Sequence, residues 1–146
     1  MKIGSIIYLK NICFRDGTID HSFTIGRPSI FLGELEDNMY FMPLSNIKTL
    51  KHKVRIIIKP SRLNGLTKVS HPNLREVVEK PIAYYEAIGM LTKEEILKVF
   101  IGIKKYYKMV TCDKDAILLT LANNYLNQSL SNTFSDKDIK GSKKIK

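Results

Sequence analysis

The stretch Thr24–Lys48, TIGRPSIFLGELEDNMYFMPLSNIK, decides how the rest of the chain is read. It holds a Gly-Arg-Pro lead-in, an apolar run over Ser29–Gly33, an acidic GELEDN segment, a second apolar run over Met39–Leu44 and a Ser-Asn-Ile-Lys exit. Two apolar runs around a short polar turn predict an antiparallel hairpin, with Gly33 and Asp37-Asn38 supplying the reversal. Antiparallel pairing returns the end of the second strand to the start of the first. Arg27 and Ser45 are therefore expected side by side, a guanidinium and a hydroxyl at one sheet edge. Pro28 and Pro43 lack a backbone donor and are expected at strand ends or on an edge.

Outward from the hairpin, Ile3–Tyr8 is rich enough in β-branched and aromatic residues for a first strand. A long polar connection, Asn11–Ser22, separates it from the Gly-Arg-Pro lead-in, and connections of that length usually carry a function. On the other side, Val54–Ile58 predicts a buried strand and Leu66–Val69 a short one after an Asn64-Gly65 turn. Asn73–Val78 and Ile82–Ile88 read as helical turns interrupted by Pro81. Thr92 and Glu95 form a capping-box pattern ahead of a helix from Lys93 to about Lys108, with Ile96, Val99, Phe100, Ile103 and Tyr107 on one face. Asp113 caps a further helix with a stripe of Ile117, Leu118, Leu121, Tyr125 and Leu126. Strands first and helices afterwards, without βαβ alternation, predict an α+β fold built on a small antiparallel barrel. The expected division is a single domain over residues 1–128 and a loose basic tail over 129–146.

The chain has 146 residues, and 24 Lys and Arg against 14 Asp and Glu give a formal charge of +10. An excess of that size favours polyanions, because each neutralised phosphate releases condensed counterions. Nucleic acid is the leading partner class. Cys13 and Cys112 lie far apart with no CxxC spacing, and they are expected as reduced, buried thiols. The N-terminus lacks a signal-peptide pattern and no stretch reaches the roughly 20 apolar residues of a membrane span, so a cytoplasmic protein with no membrane partner is expected. His21, His52 and His71 have no metal-ligand spacing, and P-loop, GxGxxG and GxSxG motifs are absent from the sequence. No metal or cofactor is expected.

A basic chain carrying Arg, Lys, His, Ser and Tyr suits one metal-free reaction, RNA transesterification, in which the 2′-hydroxyl attacks the neighbouring phosphate. Such a site needs a base, an acid, and cations or donors on the phosphate oxygens. Arg27 suits the phosphate as a planar fork, Ser45 as a donor, and Lys48 as added charge.

The GS-x-x-Y strand and loop, the G-R-P lead-in with its apolar strand, and the second strand ending P-L-S together resemble the MazF/PemK-like endoribonuclease toxins. The resemblance covers roughly residues 3 to 60. Within that superfamily the run Tyr40–Lys48, YFMPLSNIK, is most similar to the ToxN-like and CptN-like toxins of type III toxin-antitoxin systems. It implies an SH3-like barrel, an endoribonuclease leaving 2′,3′-cyclic phosphate and 5′-hydroxyl ends on mRNA, and inhibition by a repeat-containing antitoxin RNA in a toxin–RNA hetero-oligomer. Arg27 and Ser45 then fall at catalytic positions, although Arg27 stands where a ToxN-like sequence has Lys. A guanidinium that stays protonated is a poor base, so it stabilises charge and His21 is expected to transfer the proton. Tyr8, Arg15, Asn46, Lys48, Lys51, His52 and Lys53 are the expected RNA contacts. Two other readings fit the same residues: a noncatalytic RNA-binding SH3-like module, and a MazF-like toxin neutralised by a protein antitoxin.

Overall fold

A computed structural model describes residues 1–21, 25–46 and 56–130 in full, and 131–145 as helical backbone. The central hairpin is longer than its apolar runs suggested. Strand β2 spans Arg27–Leu35 and β3 spans Asn38–Ser45. The chain reverses through Glu36 and Asp37 alone, with Glu36 at φ 54°. Gly33 does not serve the reversal. The register shifts between Phe31 and Gly33, a β-bulge, and Gly33 adopts φ +135°, which L side chains avoid.

Strand β1 (Ser5–Leu9) pairs with β2, β4 (His71–Pro72) and β5 (Val78–Pro81) both pair with β3, and β6 (Gly89–Met90) pairs with β1. All of these pairings are antiparallel. The result is an α+β fold: a curled, half-barrel sheet followed by helices α1 (Lys93–Tyr106) and α2 (Asp113–Ile145). Pro43 lies inside β3 rather than at an edge, at the point where β3 changes partner from β5 to β4. Its carbonyl accepts from the Asn73 N–H at 2.9 Å. Its own nitrogen faces that same gap, where a missing donor costs little.

Strand alternation sends side chains to two cores. Ile6, Ile30, Leu32, Tyr40, Met42 and Leu44 meet the helices on one face. Ile7, Leu9, Phe31, Met39 and Phe41 gather on the other face with Ile12 and, at its margin, Phe14 and Tyr85. The capping box at Thr92 forms in full, and the expected face of α1 is buried. In α2, Leu118 and Leu121 are buried while Tyr125 stacks on Phe100 with ring centroids 4.6 Å apart.

Several expectations between the hairpin and α1 fail. Of the strand expected over Val54–Ile58, Val54 and Arg55 lie outside the described residues, while Ile56 and Ile57 belong to no strand and Ile58 forms an isolated bridge with Ser70. No strand forms over Leu66–Val69. The expected turn at Asn64-Gly65 does form: the buried Asn64 side chain accepts from the Ser61 and Leu66 N–H groups and donates to the Lys59 carbonyl. The helical turns expected over Asn73–Val78 are replaced by one tight turn and the start of the extended β5, and Ile82–Ile88 forms no helical turn and belongs to no strand. The open edge of β3 offers Val78–Pro81 partners that an isolated helical turn lacks, and tertiary pairing overrides local pattern. Cys13 and Cys112 are exposed free thiols, not buried ones, because both sit on connections at the rim of the fold. Among the described residues, no helix is long and apolar enough to cross a membrane.

Candidate functional site

Register builds the site. Leu9 pairs with Arg27, Ser29 pairs with Pro43, and Ser45 pairs with His71. The step outward from Ser29 and Pro43 sets Arg27 against Ser45, so Leu9, Arg27, Ser45 and His71 form one cross-strand row. Directly opposed residues project to the same face of a sheet. The Arg27 Nη1 donates to the Leu44 carbonyl at 3.1 Å and to Ser45 Oγ at 3.4 Å. The guanidinium and the hydroxyl expected at one edge are thus in contact.

The connection from Asn11 to Asp20 supplies the supports. It folds back on itself through a bridge between Cys13 and Ile19, and Asp16 accepts from the Thr18 N–H and hydroxyl. This small hairpin lays the Phe14 ring 5.6 Å from the Arg27 guanidinium carbon, a cation–π contact. It also places Asp20, whose Oδ2 accepts from Arg27 Nε at 2.6 Å. Gly26 permits the approach, with φ +103° and a hypothetical Cβ only 2.8 Å from the Leu9 carbonyl oxygen.

A cavity of about 340 Å³ opens beside the row, lined by Arg27 and Ser45 together with Arg15, Arg75, Asp16 and Glu76. Its far wall is an ionic clamp. The Glu76 carboxylate accepts the Arg15 backbone N–H at 2.8 and 3.0 Å and the Lys114 ammonium at 3.2 Å. The Arg15 side chain donates to Asp115 at 2.7 Å and to the Tyr107 hydroxyl at 3.2 Å. Burial alone would push the Asp115 carboxyl up, but hydrogen bonds from Thr111 and Arg15 outweigh it and hold the group at about 2. Burial pushes the Tyr107 phenol well up; that hydroxyl donates to the Leu74 carbonyl at 2.7 Å. The clamp ties the connection, the turn before β5, α1 and α2 into one frame around the cavity.

The remaining expected residues are spread more widely. His21 is exposed, next to Asp20, and is not among the cavity-lining residues. Tyr8 pairs with Pro28, which puts it on the opposite face from Leu9 and Arg27. Asn46 is exposed just past the end of β3. Lys48, Lys51, His52 and Lys53 lie outside the described residues.

Sequence reasoning missed that Asp20 and Phe14 hold Arg27, that Arg75 lines the cavity and that His71 pairs with Ser45. His71 is 5% exposed and, like His21, is not among the cavity-lining residues; it stands behind Ser45, and its Nδ1 lies 2.8 Å from the Ile56 carbonyl. A carbonyl can only accept, so Nδ1 carries a hydrogen, and in the neutral ring the lone pair is on Nε2. No local motif marks this histidine; the pairing of β4 with the end of β3 does. Among the described residues, no group of three or more His, Cys, Asp or Glu is placed to hold a metal ion. No family model matches the chain, and no curated protein matches it.

Proposed function

We propose that this protein is an endoribonuclease that cleaves RNA by transesterification at the Arg27–Ser45 end of the sheet. The observation that carries the reading is the guanidinium–hydroxyl contact of 3.4 Å at the wall of a cavity of about 340 Å³, on a chain of net charge +10. A phosphodiester entering the cavity meets the Ser45 hydroxyl as a donor and the Arg27 guanidinium as a fixed positive charge. When the 2′-oxygen attacks phosphorus, negative charge builds on the nonbridging oxygens. Donors already in position stabilise that charge without reorganising. The Asp20 bond and the Phe14 ring hold the guanidinium in place before substrate arrives. The 2′-oxygen stays on phosphorus and the 5′-oxygen leaves, giving a 2′,3′-cyclic phosphate and a 5′-hydroxyl.

The finer reading follows the sequence resemblance: an SH3-like toxin of the MazF/PemK kind, acting on mRNA and held inactive by a repeat-containing antitoxin RNA. The test is incubation of the purified protein with RNA in EDTA, followed by end analysis. Cyclic phosphate and 5′-hydroxyl ends support the enzyme. Tight binding without cuts sinks it in favour of a noncatalytic binding module. A co-purifying RNA of repeated sequence supports the antitoxin arm; a co-purifying acidic protein replaces it.

A further inference from the structure

We propose that His71 accepts the proton of the attacking 2′-hydroxyl; this rests on the endoribonuclease reading. The transesterification needs a base, and neither residue of the central pair is one. Arg27 stays protonated, and a serine hydroxyl is far too weak an acid–base group to cycle near neutral pH. The cross-strand row continues past Ser45 to His71. This places an imidazole one strand spacing from the hydroxyl that faces the phosphate, on the same face of the sheet.

The ring is held for the task. Its Nδ1–H is spent on the Ile56 carbonyl at 2.8 Å, which fixes the tautomer and leaves the Nε2 lone pair as the proton acceptor. A nucleophile, a base and a third group orienting that base is the recurring arrangement of proton-transfer sites. In this site RNA brings the nucleophile and a backbone carbonyl orients the base. Among the described residues, the cross-strand row sets Ser45 beside His71 and the Arg27–Asp20 pair one strand further, and the neutral Ile56 carbonyl holds Nδ1.

The step balances without a co-reactant. The 2′-O–H proton passes to Nε2 as the 2′-O–P bond forms, and the P–O5′ bond breaks with its electron pair on the 5′-oxygen. Water protonates that oxygen, and the imidazolium returns its proton to water.

The decisive variant is His71→Asn, whose side-chain amide can still donate to the Ile56 carbonyl but does not titrate. Single-turnover cleavage is expected to fall at least about 100-fold. The rise of rate with pH on the acid side should vanish. Added imidazole should restore cleavage by His71→Gly. His71→Asn cutting within about threefold of wild type with the same pH profile overturns the assignment, as does loss of the acid limb in His21→Ala alone. An NMR titration of the His71 ring in the intact protein needs no variant. Its midpoint must track the acid limb, and a ring that holds one protonation state across that limb overturns the role even if the variants fold poorly. Wild-type protein that leaves RNA uncut refutes the endoribonuclease reading itself, a result distinct from cleavage that ignores His71.

Discussion

Asp20 and Arg27 meet through an Nε–H···Oδ2 bond of 2.6 Å, with the Asp20 side chain 4% and the Arg27 side chain 12% exposed. A charge so withdrawn from water is tolerated only when paired. The pair therefore fixes where the site's central cation sits. Removing the carboxylate in Asp20→Ala takes the Asp20 ion pair from a largely buried guanidinium, and a stability loss of about 3 kcal/mol is expected in denaturant titration. Asp20→Asn keeps an acceptor and should lose less stability. Its RNA cleavage should still fall, because the weaker bond lets the guanidinium swing.

Arg27→Lys separates charge from geometry. The ammonium keeps the positive charge beside Asp20 but loses the planar fork that reaches Leu44 and Ser45. Cleavage is expected to drop about 100-fold with RNA affinity changed only slightly, the signature of an interaction made in the transition state. Ser45→Ala should behave alike in single-turnover kinetics. Equal losses of binding and cleavage would make both residues ordinary binding contacts.

Gly26→Ala probes the lead-in to β2. The new Cβ meets the Leu9 carbonyl oxygen at 2.8 Å, and φ +103° is unfavourable for alanine. Destabilisation of about 2 kcal/mol or more is expected, read as a lowered melting temperature. Gly17→Ala, also at positive φ but with open space around it, should cost less.

Asp115 predicts an acid limit. Its carboxyl lies at about 2 in the folded protein against an ordinary 3.8. A depressed carboxyl stabilises the fold above its unfolded value, and that contribution fades as pH falls through the folded one. Stability on the order of 2 kcal/mol should therefore be lost between about pH 4 and pH 2. Asp115→Asn should be less stable at neutral pH and show a flatter decline over that window.

RNA affinity should fall steeply and log-linearly with salt, because a chain of net charge +10 binds phosphates largely by releasing counterions. Measuring the dissociation constant across a salt series checks this. A flat response would remove the basic surface from the binding account.

The hairpin, the two helices and the Arg27–Ser45 contact were legible because each depends on residues close in sequence. Apolar runs around Glu36 and Asp37 demand an antiparallel return, and that return alone brings positions 27 and 45 together. Thr92 and Glu95 announce the start of α1 for the same local reason. The region between β3 and α1 was misread where its local pattern competed with an open strand edge. Asn73–Val78 carries helix-compatible spacing, yet the Asn73 N–H is taken by the Pro43 carbonyl and Val78 continues onto β3.

By itself, then, the sequence determined the sheet's central hairpin, the helices behind it, and a cation and a hydroxyl at one edge. Tertiary structure alone decided what surrounds them. Arg15 and Asp115 stand 100 positions apart and meet in a partly buried ion pair. His71 comes to face Ser45 only because β4 adds to the end of β3. Neither partnership has a local signal, since register between distant segments is set by which faces must be buried and which donors must find acceptors once the whole chain has closed.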